Sequence, residues 1–215
     1  MTPRDDGEPI ALFEPLMIGE GSKDRSKIND LALDLATRAA AFRSRYPPST
    51  ASALDDLIRS MHCIERALKD AYSTDPKKRD LQLEAKAHIE VQKWIDRDGL
   101  ADIPVASASI LEIHRRFCAL LPEDLLIVEN PDTGERLRVV PGHLRERDVR
   151  VGQHFAISPG AVPRFLERIH DAYLRSGRIE SILAAACAHH RLLWVHPFLD
   201  GNGRVARLMS YAMLR

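Results

Sequence analysis

His196-Pro197-Phe198-Leu199-Asp200-Gly201-Asn202-Gly203-Arg204-Val205-Ala206-Arg207 is the stretch that decides how this 215-residue chain is read. Apolar residues recur at helical spacing before it, at Ile182, Leu183, Ala186, Leu192 and Leu193, and after it, at Leu208, Met209, Ala212 and Met213. The stretch is therefore expected to be a tight loop between two helices, with Pro197 stopping the first of them. Its composition is that of an anion site. Gly201 and Gly203 can take positive φ and carry no Cβ, and a helix starting near Arg204 presents unpaired N–H groups at its positive end. Arg204 and Arg207 are three residues apart, so two guanidinium forks share roughly one helix face. Asp200 offers a hard oxygen of the kind Mg²⁺ takes when it is shared with phosphates, and His196 can accept a proton near neutral pH.

These residues carry a family likeness. The stretch resembles the signature of the Fic family (filamentation induced by cAMP), H-x-F-x-[D/E]-G-N-G-R-x-x-R, and every fixed position is filled. The resemblance implies a mainly α, Fic-type helical bundle with a small β-hairpin flap. It also implies a protein adenylyltransferase that moves AMP from ATP to a Ser, Thr or Tyr hydroxyl of a protein target, which can be the chain itself. On that likeness His196 is the general base and Phe198 a buried anchor. Asp200 holds Mg²⁺ between the α- and β-phosphates. The Gly201-Asn202-Gly203 backbone and the Asn202 amide form the anion hole, Arg204 binds the phosphate tail and Arg207 the γ-phosphate.

Composition bounds the rest. Lys plus Arg and Asp plus Glu both number 31, so no net field argues for nucleic acid or an anionic membrane. Three cysteines, Cys63, Cys118 and Cys187, show no short metal-ligand spacing and suit reduced thiols. No apolar run reaches the length of a membrane span, and the chain is expected to be cytoplasmic, with secretion as an effector left open.

Taken in order, Met1 to about Lys27 reads as an irregular arm with one apolar knot at Ile10-Ala11-Leu12-Phe13. A helix is expected from Ile28 to about Tyr46 with Leu31, Leu33, Leu35, Ala39 and Phe42 as its apolar side, ended by Pro47-Pro48. A second runs to about Tyr72 through Leu54, Leu57, Ile58, Met61, Ile64 and Leu68, and a third from Lys77 to about Asp98. The domain division expected is an N-terminal helical region over 1–104 and a Fic core over 105–215.

Within the second helix, over about 50–72, Ser60-Met61-His62-Cys63-Ile64-Glu65-Arg66 imperfectly resembles the inhibitory pattern [S/T]-x-x-x-E-[G/N] of many Fic proteins. Met61 stands where Ser or Thr belongs and Arg66 where Gly or Asn belongs. Two readings stay open: Glu65 pairs along its own helix with Lys69, or it pairs with Arg207 and competes with phosphate for one guanidinium.

Beyond Gly99, a helix is expected from Ser107 to about Leu121, with His114 a packed or partly exposed residue on it rather than a catalyst. The period then changes over about 124–155, where a β-hairpin with Asp132-Thr133-Gly134 in its turn leads to a Val149-Arg150-Val151-Gly152 segment. This segment resembles the family's flap, to whose edge a target would add as an extra strand, at Val149, Arg150 and Val151. Helices follow over about 162–176 and 179–195. His189 and His190 lie about 100° apart on the latter, so they do not form a ligand pair. Tyr211 to Leu214 read as helix without a cap, which suggests a longer natural chain, and homodimers are common among relatives. Removal of AMP from a target, with Glu65 orienting water, and nucleotide binding without turnover are the alternatives the resemblance leaves open.

Overall fold

The computed structural model describes residues 2–14, 16–17, 21–45, 72–130, 133–174 and 178–215, and among these described residues the helical periodicity becomes six helices. They are α1 (Arg25–Arg45), α2 (Pro76–Asp96), α3 (Ser107–Ala119), α4 (Val162–Tyr173), α5 (Arg178–Val195) and α6 (Asn202–Leu214). The fold is mainly α, with short 3-10 turns and two small β-ribbons between helices. The helix expected over about 50–72 lies outside the described residues, and Glu65 with it.

The chain forms two compact units, Ile18–Ile89 and Met1–Met17 with Glu90–Arg215. In the first, Asp75 Oδ1 accepts the Lys77 N–H at 3.1 Å and Pro76 takes the first turn, which starts α2 where the sequence breaks. The apolar side expected for α1 is corrected: Leu31, Leu33 and Leu35 are all exposed, and Ala32 is buried. Residues two apart on a helix point about 200° apart, so leucines at that spacing cannot share one buried stripe.

In the second unit the core lies between α3, α4, α5 and α6. On α4, Val162, Phe165, Leu166, Ile169 and Tyr173 are buried, a stripe at the i, i+3, i+4, i+7, i+11 positions that a one-sided helix requires. Small residues Ala184, Ala185 and Ala188 are buried on α5, letting a neighbouring backbone approach closely, while α6 buries Val205, Ala206, Leu208 and Met209. Burial of one large side chain such as Phe165 contributes roughly 2–3 kcal/mol.

The N-terminal arm belongs to this unit. Its knot forms a 3-10 turn, Ile10–Phe13, that drives Phe13 fully into the core, edge-on to Phe165 at 5.3 Å and tilted against Trp194 at 5.6 Å. Tyr173 Oη donates to Leu16 O at 2.5 Å, and the Arg168 guanidinium meets Glu14 at 2.6 Å. Aromatic contacts of this kind hold an otherwise irregular segment in place.

The region over about 124–155 forms two separate antiparallel ribbons. β1 (Ile127–Glu129) pairs with β2 (Arg136–Arg138), Ile127 opposite Arg138. β3 (Arg150–Val151) pairs with β4 (His154–Phe155), Arg150 opposite Phe155, through a turn whose Gly152 has φ +61°. Ala156 N donates to Val149 O at 3.1 Å, extending this second hairpin by one bond.

Candidate active site

The site is built where α5 ends. His196 N still donates to Leu192 O at 3.0 Å, but His196 takes φ +51° and Pro197 follows, so the chain leaves the helix abruptly. The half-buried His196 ring has Nδ1 3.3 Å from Leu193 O. With the proton on Nδ1 donated to that carbonyl, Nε2 is left with its lone pair. Burial, reinforced by the positive charge of Arg145, holds the pKa of His196 below the ordinary histidine value. The ring is therefore a neutral base at neutral pH.

The turn after Phe198 gathers main-chain donors. Gly201 has φ +81°, a region glycine enters freely, and a Cβ there would lie 3.3 Å from His114 Cδ2. α6 starts at once with no side-chain cap, its Arg204 N and Val205 N both donating to Gly201 O at 3.0 Å. The N–H groups of Gly201, Asn202 and Gly203 find no acceptor among the described residues. Three free donors at the positive end of a thirteen-residue helix make an anion cradle.

Asn202 is tied to its own loop. Its side chain is buried, with Oδ1 accepting Phe198 N–H at 3.0 Å and Nδ2 donating to Phe198 O at 2.8 Å. The carboxamide staples the loop through Oδ1 and one of its two Nδ2 hydrogens, and the main-chain N–H of Asn202 stays open to an anion.

Two buried side chains that sequence reasoning gave no such role hold the loop from behind. His114 is fully buried and stacked on Phe198, ring centroids 3.8 Å apart and planes 6° from parallel. Its Nδ1 accepts Gly142 N–H at 2.9 Å, so in the neutral ring Nε2 carries the proton, facing Asp200 O at 3.3 Å and Cys118 Sγ at 3.3 Å. Burial pushes its pKa down to about 4. Arg145 is 1% exposed and donates to His196 O (2.7 Å), Arg147 O (2.8 Å), Ile157 O (2.5 Å) and Val195 O (3.4 Å). Its own N–H reaches Pro197 O at 2.9 Å. Burial lowers its pKa to about 10, so it stays charged at neutral pH, its charge satisfied by carbonyl dipoles instead of a carboxylate. Its partners are backbone atoms, which leave no mark in sequence.

The remaining expected residues lie around the turn. Arg204 is half-buried, its guanidinium 5.9 Å from the Phe117 ring centroid, and burial followed by Arg207 lowers its pKa. Arg207 is exposed, with NH1 3.5 Å from where a Gly203 Cβ would stand. Asp200 is exposed, and its carboxylate has no hydrogen bond or ion pair among the described residues. No group of three or more His, Cys, Asp or Glu fit for a metal exists among them either. One free carboxylate beside an anion cradle fits Mg²⁺ shared with substrate phosphates and does not fit an all-protein metal cage. Val149, Arg150 and Val151 sit on the second hairpin. Beside the loop a cleft of about 240 Å³ opens between Leu199, Val140, His143 and Arg147.

Among the described residues no helix is long and apolar enough to cross a membrane. The Fic/DOC family matches residues 104–214 of the chain. The protein adenylyltransferase Fic of Drosophila erecta is 31% identical over 125 residues, covering 57% of this chain and 22% of that protein. The Drosophila willistoni protein of the same description is 30% identical over the same length. The chain thus spans less than a quarter of these curated relatives. Among solved structures, a Fic family protein from Desulfovibrio desulfuricans G20 superposes with a TM-score of 0.60 at 16% identity, over 90% of this chain and 58% of that one. Fic-1 from C. elegans does so with a TM-score of 0.57 at 22% identity, over 88% and 56%. At these identities the likeness is one of fold.

Proposed function

The chain belongs to the Fic/DOC family, and from that premise we propose that it is a protein adenylyltransferase, transferring AMP from Mg-ATP to a Ser, Thr or Tyr hydroxyl of a protein. The observation that carries this reading is the pairing of a neutral His196, its Nδ1 turned to Leu193 O, with three unpartnered main-chain donors at the start of α6.

In the proposed reaction His196 Nε2 takes the proton of the target hydroxyl as its oxygen bonds to the α-phosphorus. The bond from that phosphorus to the bridging oxygen breaks, and pyrophosphate leaves. The Gly201, Asn202 and Gly203 N–H groups receive the charge developing on the α-phosphate, a role that fixed dipoles fill without reorganisation. Arg204 and Arg207 hold the phosphate tail, and Asp200 is the residue that would hold Mg²⁺. The ion, when bound, neutralises charge between the phosphates. Arg145 keeps His196 in place by its bond to the His196 carbonyl, and His114 keeps the Asp200 carbonyl turned inward. The β3–β4 hairpin supports in-line attack by pairing with an extended target segment, and the open cleft beside Leu199 leaves room for flanking residues.

His196→Ala tests the reading. It is expected to abolish transfer to protein while Mg-ATP still binds, because only the base is removed; loss of nucleotide affinity instead would mean the role is misassigned. Regulation by Glu65 is part of the same proposal, and an inhibitory glutamate predicts more self-labelling in Glu65→Gly than in the unaltered chain.

A further inference from the structure

We propose that the N-terminal arm is a clamp on the β3–β4 hairpin, with Arg4 and Glu8 as positioning residues that fix the edge on which a target segment docks. The inference rests on the reading of that hairpin as the target-docking flap.

The hairpin cannot position itself. It has two paired residues per strand, and an isolated two-stranded ribbon is marginal in water. Its large apolar side chains do not anchor it either: Phe155 is 72% exposed and Val151 49% exposed. What sets its place acts at His154, whose Nε2 lies 2.8 Å from Trp194 O on α5, and at the hairpin's two feet, residues 147–148 before β3 and 157–158 after β4.

At both feet the chain alternates between two grips. Arg147 O and Ile157 O face the buried Arg145. The next residue in each strand, Asp148 and Ser158, turns to the arm, as successive residues of extended chain turn to opposite sides. Arg4 NH2 lies 3.1 and 3.0 Å from the two Asp148 carboxylate oxygens. Glu8 takes Ser158 with both oxygens, Oε1 accepting its N–H at 2.5 Å and Oε2 its hydroxyl at 2.7 Å. Ser158 Oγ in turn accepts Asp6 N–H at 3.0 Å, and Gly160 N donates to Arg4 O at 2.7 Å. This approach requires glycine, because a Cβ on Gly160 would stand 2.6 Å from Pro3 O. The arm is itself held, by the Asp5 pairing with Arg164 at 3.0 Å and by the buried Phe13. It is thus an anchored strap that reaches both feet at once.

Such a contact matters to docking more than to stability. Arg4 and Asp148 are both largely exposed, where ion pairs contribute little to folding. Transfer, in contrast, needs the target strand held in register with His196, and small displacements of a docking edge reduce in-line geometry sharply.

The test compares the unaltered chain with Glu8→Ala and Glu8→Gln by hydrogen exchange, nucleotide titration and AMP transfer to a His196→Ala copy of the chain as acceptor. Glu8→Ala is expected to speed exchange of the 149–156 amides about tenfold, with α3 to α6 and Mg-ATP affinity unchanged. The KM for acceptor is expected to rise several-fold at unchanged nucleotide affinity. Glu8→Gln, whose amide oxygen still accepts the Ser158 N–H, is expected to restore both. Unchanged exchange in 149–156, exchange raised equally throughout the helices, or a loosened hairpin with unchanged acceptor KM would each overturn the clamp. If the unaltered chain transfers no AMP, the adenylyltransferase reading fails by itself, and the exchange comparison still decides the clamp.

Discussion

The His114 imidazole lies flat on the Phe198 ring, centroids 3.8 Å apart, with one nitrogen on Gly142 N–H and the other facing Asp200 O. A residue on α3 therefore ties the segment that leads into the β3–β4 hairpin to the turn that starts α6. His114→Phe keeps a stacked ring but leaves Gly142 N–H and Asp200 O without partners. It is expected to lower stability by about 1–3 kcal/mol in chemical denaturation, with a larger loss for His114→Ala.

The same histidine makes stability depend on pH. Its folded pKa of about 4 lies below the ordinary 6.5, so the unfolded chain binds more protons between those values. The stability contribution is complete above about pH 6.5 and is lost as pH falls toward 4, by roughly 3 kcal/mol. Denaturation midpoints followed across that window are expected to fall more steeply for the unaltered chain than for His114→Phe; equal slopes would contradict the assignment.

For His196 the lowered pKa predicts the shape of the rate profile. The proposed transfer uses the neutral ring as base, so its rate is expected to be flat through neutral pH and to fall only below the ordinary histidine value of 6.5. An acid limb centred above that value would mean that another group titrates.

Asn202 separates two roles. Because its carboxamide is bound at both ends to Phe198, Asn202→Ala is expected to lower stability by about 2–4 kcal/mol, two buried hydrogen bonds being lost. A variant of unchanged stability that binds ATP weakly would instead make the side chain a phosphate ligand. Arg207 should behave in the opposite way: exposed and away from the core, Arg207→Ala is expected to leave stability within about 0.5 kcal/mol while weakening Mg-ATP binding about tenfold or more.

Much of this was legible in the sequence. The helices of the core carry clear 3.6-residue periodicity, and the loop residues at 196–207 are of unmistakable chemical types. Other features were hidden for physical reasons. His114 was expected to be packed or partly exposed; it is fully buried, and the main-chain partners through which it joins two loops leave no mark in sequence. That the Asn202 carboxamide closes its own loop depends on the path of residues 198–202, which the residue type does not give. The arm looked irregular because its order comes from tertiary contacts, Phe13 with Phe165 and Glu8 with Ser158, 150 residues or more away. The leucines of α1 show the converse, an apolar run counted as a stripe although its spacing of two does not fit a helix.

The most direct measurement supplies ATP labelled at either the α- or the γ-phosphate, with Mg²⁺, to the chain and to His196→Ala, and follows label bound to protein. The account predicts protein-bound α-label in the unaltered chain only, and no γ-label in either. Protein-bound γ-label, or α-label undiminished in His196→Ala, would contradict it.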